Sequence, residues 1–122
     1  MISEVLRSCW IAARGVLLAA RSQRNFQIHL LAAAAALLVG ALLQLTRMEF
    51  ILLTVTIALV ISAELLNTAL EFLLNLMEAR DHPVVRATKD VAAGAVLMAV
   101  AGSVAVGILL FGPRLCALFR GR

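Results

Sequence analysis

The sequence predicts an all-α membrane protein, in which an amphipathic N-terminal surface helix precedes three transmembrane helices. Of the 122 residues, 63% are hydrophobic, and the mean hydropathy is +1.02; both values are typical of membrane proteins. Three apolar stretches, 28–45, 50–77 and 91–112, each approach or exceed the roughly 20 residues that an α-helix needs to cross a bilayer. We therefore expect residues 1–122 to form a single membrane domain.

Residues 1–27 are expected to form the surface helix and a short polar elbow before the first span. Arg7, Arg14 and Arg21 recur every seven residues, so they lie near one helix face, whereas apolar residues such as Trp10 lie on another. This pattern is typical of a helix at the membrane interface. An arm that packs against the bundle is the alternative. The evenly spread arginines leave no compact apolar core for a secretory signal, so we expect this segment to be retained.

One short turn and one charged loop are expected to connect the three spans. Residues 46–49 leave room only for a tight outer turn, so the first two spans should be antiparallel neighbours. Residues 78–90 carry mixed charge and contain Pro83, and we expect them to form the main cytoplasmic loop. In the last span, small residues that favour close helix packing recur at every fourth position: Ala95, Ala99, Ser103 and Gly107.

The basic residues indicate that the N-terminus is cytoplasmic. In that orientation seven of the eleven Lys and Arg residues lie inside and four lie outside, in agreement with the positive-inside rule. The net charge of +4 and the pI near 10.5 then indicate lipid headgroups and nucleotide phosphates as partners, and not nucleic acid. Cys9 and Cys116 would face opposite sides of the membrane, so no disulfide is expected within one chain.

The polar residues of the second span form one narrow stripe. At 100° per residue, Glu64, Asn67 and Glu71 fall within about 60° of one another around the helix. A charged group near the bilayer centre costs at least about 2.5 kcal/mol, so such a stripe should not face lipid and is a candidate functional site. We expect Glu71 to reach the inner water boundary, with Glu64 about 10 Å deeper in the membrane.

This arrangement suits chemistry at the inner membrane surface. A carboxylate at the boundary, such as Glu71, can bind a hard divalent cation that it shares with nucleotide phosphates. The deeper Glu64 can accept a proton from the hydroxyl of a lipid. Lys89 is the only lysine; its ammonium suits phosphate oxygens, and the adjacent Asp90 can orient it or assist the metal.

Other interpretations of the same residues stay open at this point. The carboxylates can form a polar cluster that fixes helix register, or a proton relay in a small ion- or proton-coupled transporter. The Lys89-Asp90 pair can be a charge pair at a helix start. A lone histidine near an interface, such as His29 or His82, is usually a capping or solvated residue, and the loop position of His82 favours phosphate contact.

Four sequence motifs occur at a characteristic spacing along nearly the whole chain. They are NFQIH at 25–29, ELLNTALE at 64–71, DHP at 81–83 and KDVAAGAVL at 89–97. Together they resemble the prokaryotic integral-membrane diacylglycerol kinase and undecaprenol kinase family. The first and last motifs look more like the undecaprenol-using branch of that family.

The resemblance implies a homotrimer in the bacterial cytoplasmic membrane that uses ATP and Mg²⁺ to phosphorylate a lipid alcohol, either diacylglycerol or undecaprenol. It implies that Glu64 is the general base and that Glu64 and Ala93 contact the lipid. It implies a metal site at Glu71 and at Gln23, which stands where the family commonly has a glutamate. The residues expected near the nucleotide are Asn67, Glu71, Arg80, Asp81, His82, Lys89 and Asp90.

Gln23 is the main departure from the family pattern. An amide oxygen can coordinate magnesium but brings no charge, so we expect weaker metal binding, or compensation by Asp90 or by the phosphates. A catalytically silent family member is therefore a further alternative to an active lipid kinase.

Overall fold

The computed structural model describes residues 1–77 and 81–121, which form four α-helices. The helices are α1 (Ile2–Ser22), α2 (Arg24–Leu42), α3 (Arg47–Leu76) and α4 (Pro83–Arg120). As predicted, three of them, α2, α3 and α4, are long and apolar enough to cross a membrane. Helix α3 packs against both α2 and α4, so it lies between the other two spans.

A single extended residue, Gln23, separates α1 from α2, so the elbow between them is shorter than predicted. Across this junction, Gln27 Nε2 donates a hydrogen bond of 3.0 Å to the carbonyl of Ala20. Phe26 is completely buried beside it. Residues 1–18 are exposed, so α1 meets α2 and α3 only near its C-terminal end.

Helix α2 ends at a hydrogen-bonded cap and not at the end of its apolar stretch. The amide of Leu45 donates to the carbonyl of Gly40 at 3.0 Å, and that of Gln44 donates to Ala41 at 3.2 Å. Gln44 adopts the left-handed conformation, with φ of 54°, which completes a Schellman motif. A Cβ atom at Gly40 would lie 2.9 Å from Leu45 Cδ1, so a larger residue there would have to displace the Leu45 side chain.

Helix α3 begins at Arg47, inside the segment 46–49 that was predicted to be the turn. The Thr46 amide donates to Glu49 Oε2 at 2.7 Å, and the Glu49 amide donates to Thr46 Oγ1 at 3.3 Å. This reciprocal capping box satisfies two amides that a helix start leaves free. The Glu49 carboxylate also accepts two hydrogen bonds from Arg114 of α4, at 2.7 and 2.8 Å, which tie α3 to α4 at the turn end of the bundle.

Helix α4 begins well before the predicted span of 91–112, and the prediction that 78–90 is a loop is wrong from Pro83 onward. Proline is favoured in the first turn of a helix, and His82 Nδ1 accepts a hydrogen bond of 3.2 Å from the amide of Val84. With 38 residues, α4 is about 57 Å long, whereas the hydrocarbon core is about 30 Å thick. The charges near its start therefore belong to a helix that extends beyond the membrane.

Helix α2 covers 24–42 and helix α3 covers 47–76, whereas the apolar stretches predicted as spans are 28–45 and 50–77. The predicted bounds followed hydrophobicity, whereas the helix ends follow the caps. At the turn end, Leu53 packs with two other buried leucines of the bundle core, Leu45 and Leu110.

Candidate active site

A pocket of about 290 Å³ lies between α3 and the first turns of α4, at the end of the bundle opposite the α2–α3 turn. It contains an ammonium, two carboxylates and two amides. These polar groups come from three helices, because α2 contributes one of the amides. The lining residues are Asn25, Asn67, Leu70, Glu71, Leu74, Lys89, Asp90, Ala92 and Ala93.

The pocket brings together five of the site residues proposed from the sequence: Asn67, Glu71, Lys89, Asp90 and Ala93. The four-residue spacing of Asn67 and Glu71 places both on the same face of α3. The early start of α4 places Lys89 and Asp90 on a helix, where the backbone fixes their direction. Lys89 Nζ donates a hydrogen bond of 3.0 Å to Asn75 Oδ1 of α3, so this contact joins the two helices beside the pocket.

The oxygen atoms around this pocket fit magnesium. Glu71 and Asp90 supply carboxylates, and Asn25 and Asn67 supply amide oxygens. Among residues 1–77 and 81–121, no three His, Cys, Asp or Glu side chains form a metal-binding group by themselves. Magnesium is usually bound through one or two carboxylates together with substrate phosphates. The donor set therefore fits a metal that shares its ligands with a nucleotide.

Glu64 lies deeper in the bundle than the pocket and is only 3% exposed. It is on the same face of α3 as Asn67, less than one helical turn away. Thr68, one turn along, is buried as well. These positions agree with the expectation that the stripe does not face lipid, and they place Glu64 directly behind the pocket.

The basic side chain that lies against Glu64 in the described chain is His29 of α2. His29 Nε2 lies 4.0 Å from Glu64 Oε2, and the two side chains are 20% and 4% exposed. The expectation of a capping or solvated histidine is therefore wrong for His29. His82, in contrast, caps α4.

His29 also lines a second, largely apolar cavity of about 260 Å³ between α2, α3 and α4. Thr56 and Ser103 line it too, but their hydroxyls donate to the carbonyls of Leu52 and Val100 in their own helices, each at 2.7 Å. Among the lining residues of α2, His29 is the closest to the pocket end of the bundle. The imidazole thus lies where the apolar cavity approaches Glu64.

Besides Glu64, three of the described site residues proposed from the sequence do not line the polar pocket. Gln23 is half-buried at the junction of α1 and α2. Asp81 and His82 precede α4, and the Nδ1 atom of His82 is engaged in the cap. Arg80 lies outside the described residues.

Three residues at or beside the pocket were not among the site residues predicted from the sequence: His29, Asn25 and Asn75. The tight turn carried a signal for His29. His29 is about 20 Å from the C-terminal end of α2, and Glu64 is about 26 Å from the start of α3. Because the short turn makes α2 and α3 antiparallel neighbours, the two residues lie at similar depth. Asn25 belongs to the NFQIH motif, and Asn75 lies on the same face of α3 as Glu64 at 100° per residue, but a single amide near a membrane boundary does not indicate a particular role.

Comparison with known proteins shows that the chain is similar to lipid kinases along most of its length. The sequence model of the family described as "Prokaryotic diacylglycerol kinase" matches residues 10–111. The chain is also 42% identical over 114 residues to the undecaprenol kinase of Bacillus subtilis (strain 168), and the match covers 93% of each chain. The matched region contains all of the pocket residues.

Proposed function

Since this chain belongs to the prokaryotic diacylglycerol kinase family and is a lipid kinase, we propose that it transfers the terminal phosphate of ATP, with Mg²⁺, to undecaprenol. The observation that carries this proposal is the pocket that Glu71, Lys89 and Asp90 line together, with the buried Glu64 on the same face of α3 as Glu71. The relative named undecaprenol kinase supports undecaprenol over diacylglycerol. Lys89 and Asp90 in this pocket favour a kinase over a proton relay, because a relay needs carboxylates but no phosphate-binding ammonium.

The polar pocket is the proposed nucleotide end of the site. Lys89 binds phosphate oxygens through its compact ammonium, and Asn67 supplies an amide to the same group. Glu71 and Asp90 would hold magnesium, which when bound neutralises charge on the phosphates. Positioning and charge stabilisation are the main tasks of an enzyme in phosphoryl transfer, and this set of side chains supplies both.

Glu64 is the proposed general base at the lipid end. As the lipid oxygen forms its bond to the terminal phosphorus, the bond from that phosphorus to ADP breaks, and the hydroxyl proton passes to Glu64. The products are the lipid phosphate and ADP, and the proton is later released to water. The apolar cavity beside His29 offers a path for the hydrocarbon chain, and Ala93, the other residue proposed to contact the lipid, lines the polar pocket.

The reaction requires the pocket to face the cytoplasm, where ATP is present. The basic residues support this orientation, with α1 at the cytoplasmic surface of the bacterial cytoplasmic membrane. We further propose that the chain works as a homotrimer. An apolar groove of about 580 Å³ between α3 and α4 shares Asn67 and Ala92 with the polar pocket, so a helix of another copy in this groove would lie against the site.

Transfer of labelled phosphate tests the proposal. Purified protein in mixed micelles is given ATP labelled at the terminal phosphate and either undecaprenol or diacylglycerol, with and without a magnesium chelator. We expect magnesium-dependent labelling of both lipids and a higher kcat/KM for undecaprenol. A higher kcat/KM for diacylglycerol would reverse the assignment of the lipid, and no label in either lipid would indicate a silent member of the family.

A further inference from the structure

The pair formed by His29 and Glu64 joins two helices at the point where the two cavities approach each other. Glu64 on α3 is almost fully buried, and its Oε2 atom lies 4.0 Å from Nε2 of His29 on α2. His29 lines the apolar cavity, whereas Asn67, on the next turn after Glu64, lines the polar pocket. The pair thus separates the proposed lipid path from the proposed nucleotide site.

The Glu64 carboxylate is not closed off by this contact. Among the described residues, every side-chain oxygen or nitrogen without accessible surface has a hydrogen-bond partner. The Glu64 side chain forms no hydrogen bond with any of these residues. Its oxygens therefore keep some accessible surface. A pair that served only to hold two helices together would gain most from a closed, fully hydrogen-bonded contact.

The separation of 4.0 Å between His29 Nε2 and Glu64 Oε2 is longer than a hydrogen bond but short enough for a polar N–H group and a carboxylate oxygen to attract each other. Catalytic hydrogen bonds are often long before the substrate binds and shorten afterwards. An imidazole at this distance attracts one carboxylate oxygen and so limits the rotation of the whole carboxylate group. The other oxygen then keeps a defined direction for a hydroxyl to approach.

We propose that His29 is a positioning residue of the phosphotransfer reaction, whose Nε2 atom holds the Glu64 carboxylate where the lipid hydroxyl arrives from the apolar cavity. The inference rests on the proposed role of Glu64 as the general base. His29 takes no proton from the lipid in this scheme, because the proton passes to Glu64. Its effect is therefore on turnover and not on binding of the nucleotide.

Two conservative substitutions separate this role from a merely structural one. The amide nitrogen of glutamine replaces Nε2 of histidine in position, whereas that of asparagine replaces Nδ1. We expect His29→Gln to keep kcat within about threefold of the unchanged protein, and His29→Asn and His29→Ala to lower kcat by about 10- to 100-fold, the cost of a misplaced reacting group. The KM for ATP should change by less than about twofold in all three variants.

A double substitution tests whether His29 acts through Glu64. Adding His29→Ala to a Glu64→Gln protein should lower kcat little further, because residues that act as a unit are not additive. Thr54→Val is the matched control, since it removes an exposed hydroxyl from α3 that bonds only to its own helix. Thermal unfolding of each variant in detergent separates loss of turnover from loss of fold.

The outcomes distinguish this inference from the proposed function. Equal kcat values for the glutamine, asparagine and alanine variants would overturn the positioning role, as would losses of kcat that track the melting temperature. An unchanged protein that labels no lipid would instead defeat the proposed function. Activity retained by Glu64→Gln would remove the general base on which His29 is proposed to act. If the alanine variant does not fold, the comparison of glutamine with asparagine still decides.

Discussion

Lys89 Nζ donates a hydrogen bond of 3.0 Å to Asn75 Oδ1, and this contact joins the start of α4 to the last turns of α3. The acceptor is a neutral amide, so it orients the ammonium without neutralising it. Lys89 also lines the polar pocket together with Asp90 and Glu71. The positive charge therefore remains available for a phosphate group.

Loss of this charge should weaken the use of ATP. We expect Lys89→Met to lower kcat/KM for ATP by about 100-fold, the usual cost of removing one donor that stabilises a developing negative charge. Asn75→Leu should change it by less than about threefold, because the ammonium is retained. Arg86→Met, at an exposed site on α4, is the control. An unchanged kcat/KM in Lys89→Met would exclude Lys89 from phosphate binding.

Glu64→Gln should remove the general base and leave the fold intact. We expect kcat to fall by about 1,000-fold, within the range for general-base catalysis, while the KM for ATP stays within about twofold. Glutamine has nearly the same volume, so thermal unfolding and the oligomeric state in detergent should not change. Glu4→Gln, on the exposed part of α1, controls for the loss of a negative charge. Turnover within tenfold of the unchanged protein would assign the base to another residue.

Gln23→Glu should lower the magnesium concentration required for half-maximal activity. A carboxylate at this position adds a charged oxygen ligand of the kind that magnesium prefers. We expect a shift of several-fold, measured by magnesium titration at saturating ATP. Gln44→Glu makes the same chemical change at the turn end of the bundle and should leave the requirement as it is. If both variants behave alike, Gln23 does not belong to the metal site.

The pair formed by Glu49 and Arg114 should stabilise the turn end of the bundle without affecting catalysis. Arg114→Met removes two charged hydrogen bonds to Glu49, which should lower the free energy of unfolding. Glu49→Gln should cost a similar amount, and the double variant should cost less than the sum. The measurement is unfolding in detergent, with Arg47→Met as an exposed control. Full stability of Arg114→Met would show that the pair contributes nothing.

Much of the site was predictable because α3 carries it on one helix face. The spacing of Glu64, Asn67 and Glu71 fixes their common direction whatever surrounds them. Lys89 and Asp90 line the pocket together with this face, as the motifs predict. The predicted loop 78–90 is wrong from Pro83 onward, where α4 begins. The mixed charge of residues 78–90 predicts irregular structure, but a helix that extends beyond the membrane carries charge as well.

The contact between His29 and Glu64 could not be predicted from the sequence. The NFQIH motif contains His29, yet a single histidine has many roles, and only the rotation of α2 against α3 decides which residue it faces. The same holds for Asn75, whose amide became meaningful only once α4 brought Lys89 to it. Contacts of this kind depend on the relative positions of helices, which local patterns do not encode.

The sequence by itself determined the three apolar helices, the polar face of α3 and the membership of a lipid kinase family, because lipid solvation and helical periodicity act on residues along one chain. The tertiary structure decided where the helices end, that the polar pocket opens between α3 and α4, and that His29 lies against Glu64. Those features arise from caps and from packing between helices. The packing contacts join residues that are distant in the chain, so a shift of a few ångströms between two helices changes which residues meet.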